Sequence, residues 1–309
     1  SKTASSSSVE SSSSIIESSS MVSSSEGPSI VNPAPVEFAP IDFTEEPVMG
    51  EYSYTDSNMT IQYIAETIQV KNKQGNMVNT VVYCADIHLK SIAHMKTALA
   101  KDQFGQNIVE KTTSMAERKG AVFAISGDYY GAQERGYVIR NGTVLRDVRK
   151  AKDKDKGSLA IYTDGSFYPF KEREMTLEEI QNLKLEEGAK AYQVFSFGPN
   201  LVNNGERVVK EGDEVAISSK LGNQRTSLGI VDELHYVAAV CDGRLDYSWG
   251  MELYQMADYM IGKGCKIAYN LDGGGSATFV FNNKLINTPN TNGAKDIEER
   301  EISDCVYFA

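Results

Sequence analysis

Apolar and polar residues alternate over Ile61–Val70 and, less strictly, over Val78–Leu89, with KNKQGN between them. A period of two marks a strand with one buried face, so the pattern predicts a long hairpin. Two shorter hairpins are expected at Tyr137–Asp147 and at Leu159–Phe170. Their turns carry Asn141-Gly142 and Asp164-Gly165, residue types that accept the positive φ of a two-residue turn. Ala121–Ser126 (AVFAIS) is a continuous apolar run, the pattern of a strand buried on both faces, and Ala191–Ser196 is apolar again. Leu228–Val231 and Tyr236–Cys241 flank a short turn, and Leu285-Ile286 and Cys305–Phe308 supply the last strands. Helical spacing covers Ile108–Lys119, and Thr176 with Glu179 forms a capping box for a short helix. Over Trp249–Ile261 the residues Trp249, Leu253, Met256 and Met260 fall four, three and four apart, with Gly262 and Gly264 as the stop. Strands dominate and do not alternate regularly with helices. The expected fold class is α+β: strand-dominated mixed sheets with a few packed helices in a single catalytic-type domain.

The N-terminal section breaks this patterning. Residues 1–25 are mostly Ser, and residues 27–50 are spaced by Pro28, Pro33, Pro35, Pro40 and Pro47. Such sequence is flexible, then extended, so 1–50 reads as a disordered Ser/Pro-rich tether. The domain then spans 51–309, divided into an N-terminal hairpin portion, 51–107, and a motif-bearing core, 108–309. The chain carries a formal charge of −11, of which the tether holds one Lys and seven acidic residues. The domain is therefore mildly acidic and lacks a Lys/Arg stripe, which argues against nucleic acid as a partner. The run RKAKDKDK, Arg149–Lys156, mixes both signs and reads as a solvated loop. No stretch reaches the ~18 to 20 apolar residues of a membrane-spanning helix. The sequence opens on Ser, and a Ser-rich tether ahead of a folded domain fits a surface-anchored chain. The expectation is an exported, extracellular or cell-surface bacterial lipoprotein with a lipid anchor upstream of residue 1. Cys84, Cys241, Cys265 and Cys305 are isolated in apolar surroundings, as buried small hydrophobes are, and no Cys/His group has zinc spacing.

Candidate chemistry concentrates at four polar turns that end apolar strands. They are Ser126–Gly131 (SGDYYG), Asn223–Gly229 (NQRTSLG), Asp242–Arg244 (DGR) and Asn270–Ser276 (NLDGGGS). Three consecutive glycines are entropically expensive, and a fold tolerates them where the chain turns sharply or something approaches it closely. The turns offer the carboxylates Asp128, Asp242 and Asp272, the guanidinium groups of Arg225 and Arg244, and the amides of Gly273, Gly274 and Gly275. Guanidinium forks and glycine-rich nests bind anionic oxygens, and paired carboxylates perform glycosidic acid–base work. The inventory suits an anionic sugar. Each element also has a structural reading: a tight turn at the glycines, ion pairs for Arg225 and Arg244, a DG turn at Asp242, a backbone cap at Asn270. Asp128, Asp242 and Asp272 have the oxygen chemistry to hold a divalent cation, although no spacing demands one; no metal and no cofactor is assigned. His88, His94 and His235 read as structural. No P-loop, dinucleotide fingerprint, HExxH or GxSxG occurs.

These segments together resemble the phosphodiester glycosidase family. The resemblance rests on AVFAISGDYYG, FSFGPNLVNNGE, NQRTSLGIV, AAVCDGR, IAYNLDGGGSATF and EREISDCVYFA, in that order over roughly 117–309. The NLDGGGS and RT-x-x-G segments are the most specific of them. Where many members read Asn-Gly-Gly-Phe-Phe, this chain reads Ser126-Gly127-Asp128-Tyr129-Tyr130, which adds a carboxylate and two phenols. Residues 148–190 read as a lineage-specific excursion. The resemblance implies a hydrolase that cleaves sugar-1-phosphodiester linkages, with a phosphorylated carbohydrate as partner. It implies Asp272, Asp128 and Arg225 as catalytic residues. Asn270, Gly273, Gly274, Gly275, Ser276, Thr226, Arg244 and Asp242 would bind substrate. Two other readings stay open here: a non-catalytic carbohydrate-binding or exopolysaccharide-assembly protein, and a glycosidase acting on phosphate-free glycans.

Overall fold

The computed structural model of the protein describes residues 30–31, 38, 42–213, 222–293, 295 and 297–309. Most of the expected tether lies outside these residues. Its last part is joined to the domain: Thr44 N–H donates to Asp56 O (3.1 Å), the Thr55 hydroxyl donates to Asp42 O (2.9 Å), and Val48–Met49 pairs with Ser53–Thr55.

In chain order, the main elements are β1 (Met59–Lys71), β2 (Met77–Leu89), β3 (Met95–Leu99), α1 (Thr112–Arg118), β4 (Phe123–Ser126), β5 (Val138–Arg140), β6 (Thr143–Arg146), β7 (Ser158–Tyr162) and β8 (Phe167–Phe170). They continue with α2 (Leu177–Asn182), β9 (Ala191–Phe195), β10 (Asn200–Asn203), β11 (Arg225–Asp232), β12 (His235–Cys241), α3 (Leu253–Gly262), β13 (Ile267–Leu271), β14 (Phe279–Phe281) and β15 (Asp304–Phe308). Among the described residues they form three antiparallel sheets. The first has ten strands, with β10-β13-β11-β12-β2-β1 at its centre. The second runs β8-β7-β9-β5-β6, and the third contains β14-β4-β15-β3 with Lys284–Leu285 at one edge.

One face of every sheet contributes to a common core that includes Tyr63, Ile87, Phe123, Phe195, Tyr236 and Phe279. A helix covers the opposite face of each. Met256 and Met260 of α3 pack on Val237 and Ala239 of the first sheet. Leu177 and Ile180 of α2 pack on Ile139 and Val194 of the second, and Met115 and Ala116 of α1 pack on Ala124 and Cys305 of the third. Strands in this setting are buried on both faces. In β12, Tyr236, Ala238 and Val240 face the common core, while Val237, Ala239 and Cys241 face α3. That is why the central strands read as continuous apolar runs. The long hairpin forms with both strands 13 residues long. Asn141 (φ 49°) and Gly142 (φ 81°) adopt the expected turn, and the Thr176–Glu179 capping box is present.

Two predicted helices are shorter than their spacing. Glu110 exchanges backbone hydrogen bonds with Ile302 (3.0 and 2.9 Å), which keeps the chain extended until Thr112. Trp249 N–H donates to Asn79 O (2.8 Å) and Met251 pairs with Asn223, so that helix begins at Leu253, with Glu252 and Gln255 as its capping box. His235 opens β12 instead of lying in the turn. The four cysteines are buried and unpaired. No described helix is long and apolar enough to cross a membrane.

α3 seats closely because Gly229 presents no side chain beneath it. A Cβ there would lie 2.7 Å from Cys265 Sγ and 2.9 Å from both Ile267 O and Met260 Cε. Gly229→Ala is predicted to destabilise the domain by about 1–3 kcal/mol through overpacking, measured by denaturant unfolding. An unchanged midpoint would show that α3 seats without this close approach.

Candidate active site

The sheets bring their charged strand ends together. In the first sheet Thr226 pairs with Leu271 and Arg225 with Cys241, so Arg225, Asp242 and Asp272 emerge at one end of adjacent strands β12, β11 and β13. In the third sheet Ser126 pairs with Cys305, which places Gly127 and Asp128 beside Asp304. Ser126 joins the two sheets. Its hydroxyl donates to Asp272 O (2.8 Å) and lies 2.8 Å from the Thr226 hydroxyl, while Asp272 N–H donates to Gly127 O (2.9 Å). The second sheet adds Arg140 from the end of β5.

Arg140 is 3% exposed. Its Nε donates to Asp304 Oδ2 (2.6 Å), Nη2 to Asp128 Oδ2 (3.3 Å), and Nη1 to the carbonyls of Val194 (2.6 Å) and Ile139 (3.0 Å). The ring of Phe195 lies 4.5 Å from the guanidinium carbon. Burial disfavours its charge, but Asp304 and Asp128 favour it more, and the net effect raises its pKa. Asp128 Oδ2 also accepts from Ser196 N–H (2.8 Å), and Asp304 Oδ1 accepts from Asp128 N–H (2.7 Å). One cation thus serves two buried carboxylates. Burial pushes Asp304 up to about 6 against the pull of Arg140, and the nearby Asp128 charge adds to the rise.

Asp272 differs from both. It is 5% exposed, and its Oδ2 has no hydrogen-bond partner. Burial pushes its pKa up to about 6, helped by the Asp128 charge and opposed by Arg300, the Ser276 hydroxyl and the Gly273 amide. Arg300 Nη2 stands 3.8 Å from Asp272 Oδ1. Arg300 is anchored through Nε to the Ser276 hydroxyl (2.9 Å) and through Nη2 to Gly273 O (3.3 Å). Arg244 holds Asn223 Oδ1 through Nε (3.2 Å) and Nη2 (2.5 Å), and Thr291 O through Nη1 (2.6 Å). Burial and then the charges of Arg225 and Arg300 lower the Arg244 pKa, so Arg244 is repelled by both of the other guanidinium groups. An anion among them relieves that repulsion.

The glycine-rich turn owes its shape to close approach. A Cβ on Gly273 would sit 2.6 Å from Gln224 O and one on Gly275 2.5 Å from Thr291 Oγ1, while Gly274 has φ 59°. Gly274 N–H donates to Gln224 O (2.9 Å), and Ser276 N–H donates to Gly273 O (3.1 Å). Both amides hold the turn itself, and the charge at this site comes from arginines. Asn270 Nδ2 donates to Gly198 O (3.0 Å), while its buried Oδ1 has no partner. Thr226 is occupied with Ser126 as described. Arg225 is buried at the start of β11, where its Nε donates to Met251 O (3.0 Å).

Asp242 stands in a separate network. Its carboxylate accepts from Thr288 N–H (2.8 Å), Tyr83 OH (3.3 Å) and Asn287 Nδ2 (3.4 Å), and burial raises its pKa. Among the described residues Asp128, Asp242 and Asp272 do not form a ligand set for one ion. Sequence reasoning passed over Arg140, Asp304 and Arg300. An Asp opening the apolar strand DCVYF was a usable signal for Asp304, since Asp128 and Asp272 occupy equivalent strand-end positions. Arg140 lay next to a hairpin turn and Arg300 in a polar run, without distinguishing spacing.

A model of the phosphodiester glycosidase family matches residues 119–309. Among solved structures, the fold is similar to the catalytic domain of zebrafish N-acetylglucosamine-1-phosphodiester alpha-N-acetylglucosaminidase, auto-inhibited by its pro-peptide. That match has a TM-score of 0.63 and 20% identity, and it covers 80% of this chain and 83% of the other. A hypothetical protein from Synechocystis has a TM-score of 0.52 at 13% identity, covering 82% of this chain and 62% of that one. A SPbeta prophage-derived uncharacterized protein, YomE, of Bacillus subtilis (strain 168) is 28% identical over 187 residues. The match covers 60% of this chain and 28% of that relative's length.

Two stability measurements follow from the charges. Arg140→Met strands two buried carboxylates, and the expected loss is about 3–5 kcal/mol at neutral pH by thermal or denaturant unfolding; a loss under about 1 kcal/mol contradicts the shared-cation arrangement. Asp272 gives the opposite sign. A carboxyl whose folded pKa is raised from its ordinary 3.8 to about 6 stabilises the fold when protonated, and that contribution is lost as pH rises through this window. Asp272→Asn, neutral throughout, is therefore expected to be more stable than wild type above pH 6, by about 1–3 kcal/mol, with the gain closing toward pH 4. No gain at pH 7.5 contradicts a desolvated, unpartnered carboxylate.

Proposed function

Since the chain belongs to the phosphodiester glycosidase family, we propose that it hydrolyses the bond between the anomeric carbon of a sugar and a phosphodiester oxygen. The observation that carries this reading is Asp272, a buried carboxylate with a partnerless oxygen, 3.8 Å from Arg300 and followed by a glycine turn that Arg225 and Arg244 also approach. In the proposed reaction the C1–O bond breaks, water supplies the new hydroxyl at C1, and the phosphate leaves as a monoester on the other product. The proton released from water passes to Asp272. A phosphate is a better leaving group than a sugar alkoxide, so the reaction depends less on a strong general acid than on neutralising phosphate charge. Arg225, Arg244 and Arg300 take that role. The Asp272 carboxylate serves as base to the attacking water and offsets positive charge developing at C1. Asp128, fixed by Arg140 and Ser196 N–H, positions the sugar and raises the proton affinity of Asp272.

The zebrafish protein's name gives N-acetylglucosamine-1-phosphodiesters as its substrate. We extend the class, sugar-1-phosphodiesters, to this chain and include phosphoglycan polymers of a cell wall or capsule. Tyr129 is 39% exposed and packs edge-on against Phe197, with ring centroids 5.9 Å apart, which offers an aromatic surface for a sugar ring next to Asp128. A cell-surface location is part of the same proposal and is supported by the Ser-rich and Pro-spaced composition of residues 1–50.

Release of reducing sugar from a sugar-1-phosphodiester tests the assignment. Asp272→Asn is expected to lower kcat by about 10²–10⁴-fold, and wild-type turnover in that variant removes Asp272 from the chemistry. Because Asp272 must be ionised, kcat/KM is expected to fall on the acid side with an apparent pKa of about 6. Arg300→Met removes a charge that favours the ionised form, so the acid limb should move to higher pH; a shift to lower pH contradicts the geometry. Inorganic phosphate is expected to compete with substrate, and absence of inhibition would favour a glycosidase acting on phosphate-free linkages.

A further inference from the structure

A second polar cluster lies on the first sheet, away from the arginines. Asp86 and His88 are two residues apart on β2, so their side chains share a face. His235, the first residue of β12, pairs directly with His88 across the antiparallel ladder. Both imidazoles turn their Nε2 atoms to the Asp86 carboxylate. His235 Nε2 is 2.6 Å from Oδ1 and His88 Nε2 is 3.1 Å from Oδ2. The rings stack with centroids 3.9 Å apart and planes 19° from parallel. The side chains of His88, His235 and Asp86 are 44%, 24% and 16% exposed.

We propose that His88, His235 and Asp86 form a binding site for a divalent transition-metal ion such as Zn2+, which staples β2 to β12. The donor set is two imidazole nitrogens and one carboxylate oxygen, the ligand chemistry that suits zinc, copper and nickel. One ligand atom from each residue lies within 4.8 Å of the others, and among the described residues this is the group of His, Cys, Asp and Glu that meets such spacing. Zinc bonds of about 2.0–2.2 Å place neighbouring ligand atoms roughly 3.3 Å apart, so small side-chain rotations convert the hydrogen-bonded cluster into a coordination shell. The backbone positions need not move, because the ladder fixes them. Exposure of His88 gives the ion an entry path and leaves coordination positions for water.

The site is independent of the hydrolytic centre. His235 and Cys241 stand at opposite ends of β12, and Cys241 is opposite Arg225. At ~3.3 Å per residue that separation is about 20 Å. His94, the remaining histidine, bonds through Nδ1 to Ala309 O (3.0 Å) and is not part of the cluster. The ion would act as a cross-strand restraint at one end of two central strands of the largest sheet.

Calorimetric titration of the EDTA-treated full chain with ZnCl2 tests this. One ion per chain is expected, with binding weakened about 10-fold or more in His88→Ala and in His235→Ala, and unchanged in Asp272→Asn. Saturating Zn2+ should raise the melting temperature of wild type by a few degrees. Electron paramagnetic resonance of the Cu2+-loaded wild type should show coupling to two nitrogens, a readout that needs no variant to fold. Absence of binding up to about 1 mM Zn2+, undiminished affinity in His235→Ala, or Cu2+ coupling to fewer than two nitrogens overturns the proposal.

Discussion

A single buried guanidinium lies between two carboxylates where three sheets meet. Arg140 comes from the second sheet, Asp128 and Asp304 from the third, and the contacts to both acids are direct. Burying an ion is costly unless its partners are held in place, so each contributing strand end must be set correctly for the group to be tolerated. The backbone supplies part of that accuracy. Asp128 N–H and Ser196 N–H bond the same pair of acids, and a Cβ on Gly127 would collide with Asp304. The consequence for chemistry is a division of labour. Asp128 and Asp304 have a cation against them, whereas Asp272, on the adjoining sheet, keeps one oxygen without a partner. Burial raises the proton affinity of Asp272 to the range where it can take a proton from water near neutral pH.

Around the glycine-rich turn that follows Asp272 the structure gathers positive charge. Arg225 is fixed by its position at the start of β11, Arg244 by Asn223 and Thr291, and Arg300 by Ser276 and Gly273. Each anchor orders a long side chain before any ligand arrives, which lowers the entropy cost of binding. The three glycines act indirectly. They let Gln224, Thr291 and Arg300 close on the turn, so that the arginine on the final segment reaches the carboxylate at the end of β13. A negative and a positive set of groups thus adjoin at Asp272, through the Asp128 charge on one hand and Arg300 on the other.

Much of this was legible before the fold was known. The alternation in β1 and β2, the Asn141-Gly142 turn, and the apolar runs of β4 and β12 report local geometry, and local geometry is what periodicity encodes. The strand-end carboxylates Asp128 and Asp272 were legible for the same reason: a charge that interrupts an apolar run stands out. Residues 108–111 and 249–252 have helical spacing, yet they are not helical because Ile302, Asn79 and Asn223 claim their backbone groups. Those partners are distant in sequence and leave no mark on the local pattern. Arg140 and Arg300 were illegible on similar grounds, since an arginine beside a turn looks the same whether it meets water or two buried acids. Asp242 shows the converse: its turn motif resembles the others, but its oxygens are committed to Thr288, Tyr83 and Asn287.

The proposed placement of these groups decides which bond is cut. If a carboxylate stands beside C1 while arginines hold the phosphate, water attacks carbon and the phosphorus centre is untouched. Hydrolysis of an N-acetylglucosamine-1-phosphodiester in ¹⁸O-enriched water, followed by ³¹P nuclear magnetic resonance and mass spectrometry of the sugar, reads this directly. The prediction is label on the anomeric hydroxyl and no isotope shift of the phosphate signal. Label in the phosphate would mean that the P–O bond breaks, and would contradict the assignment of Asp272 and the arginines.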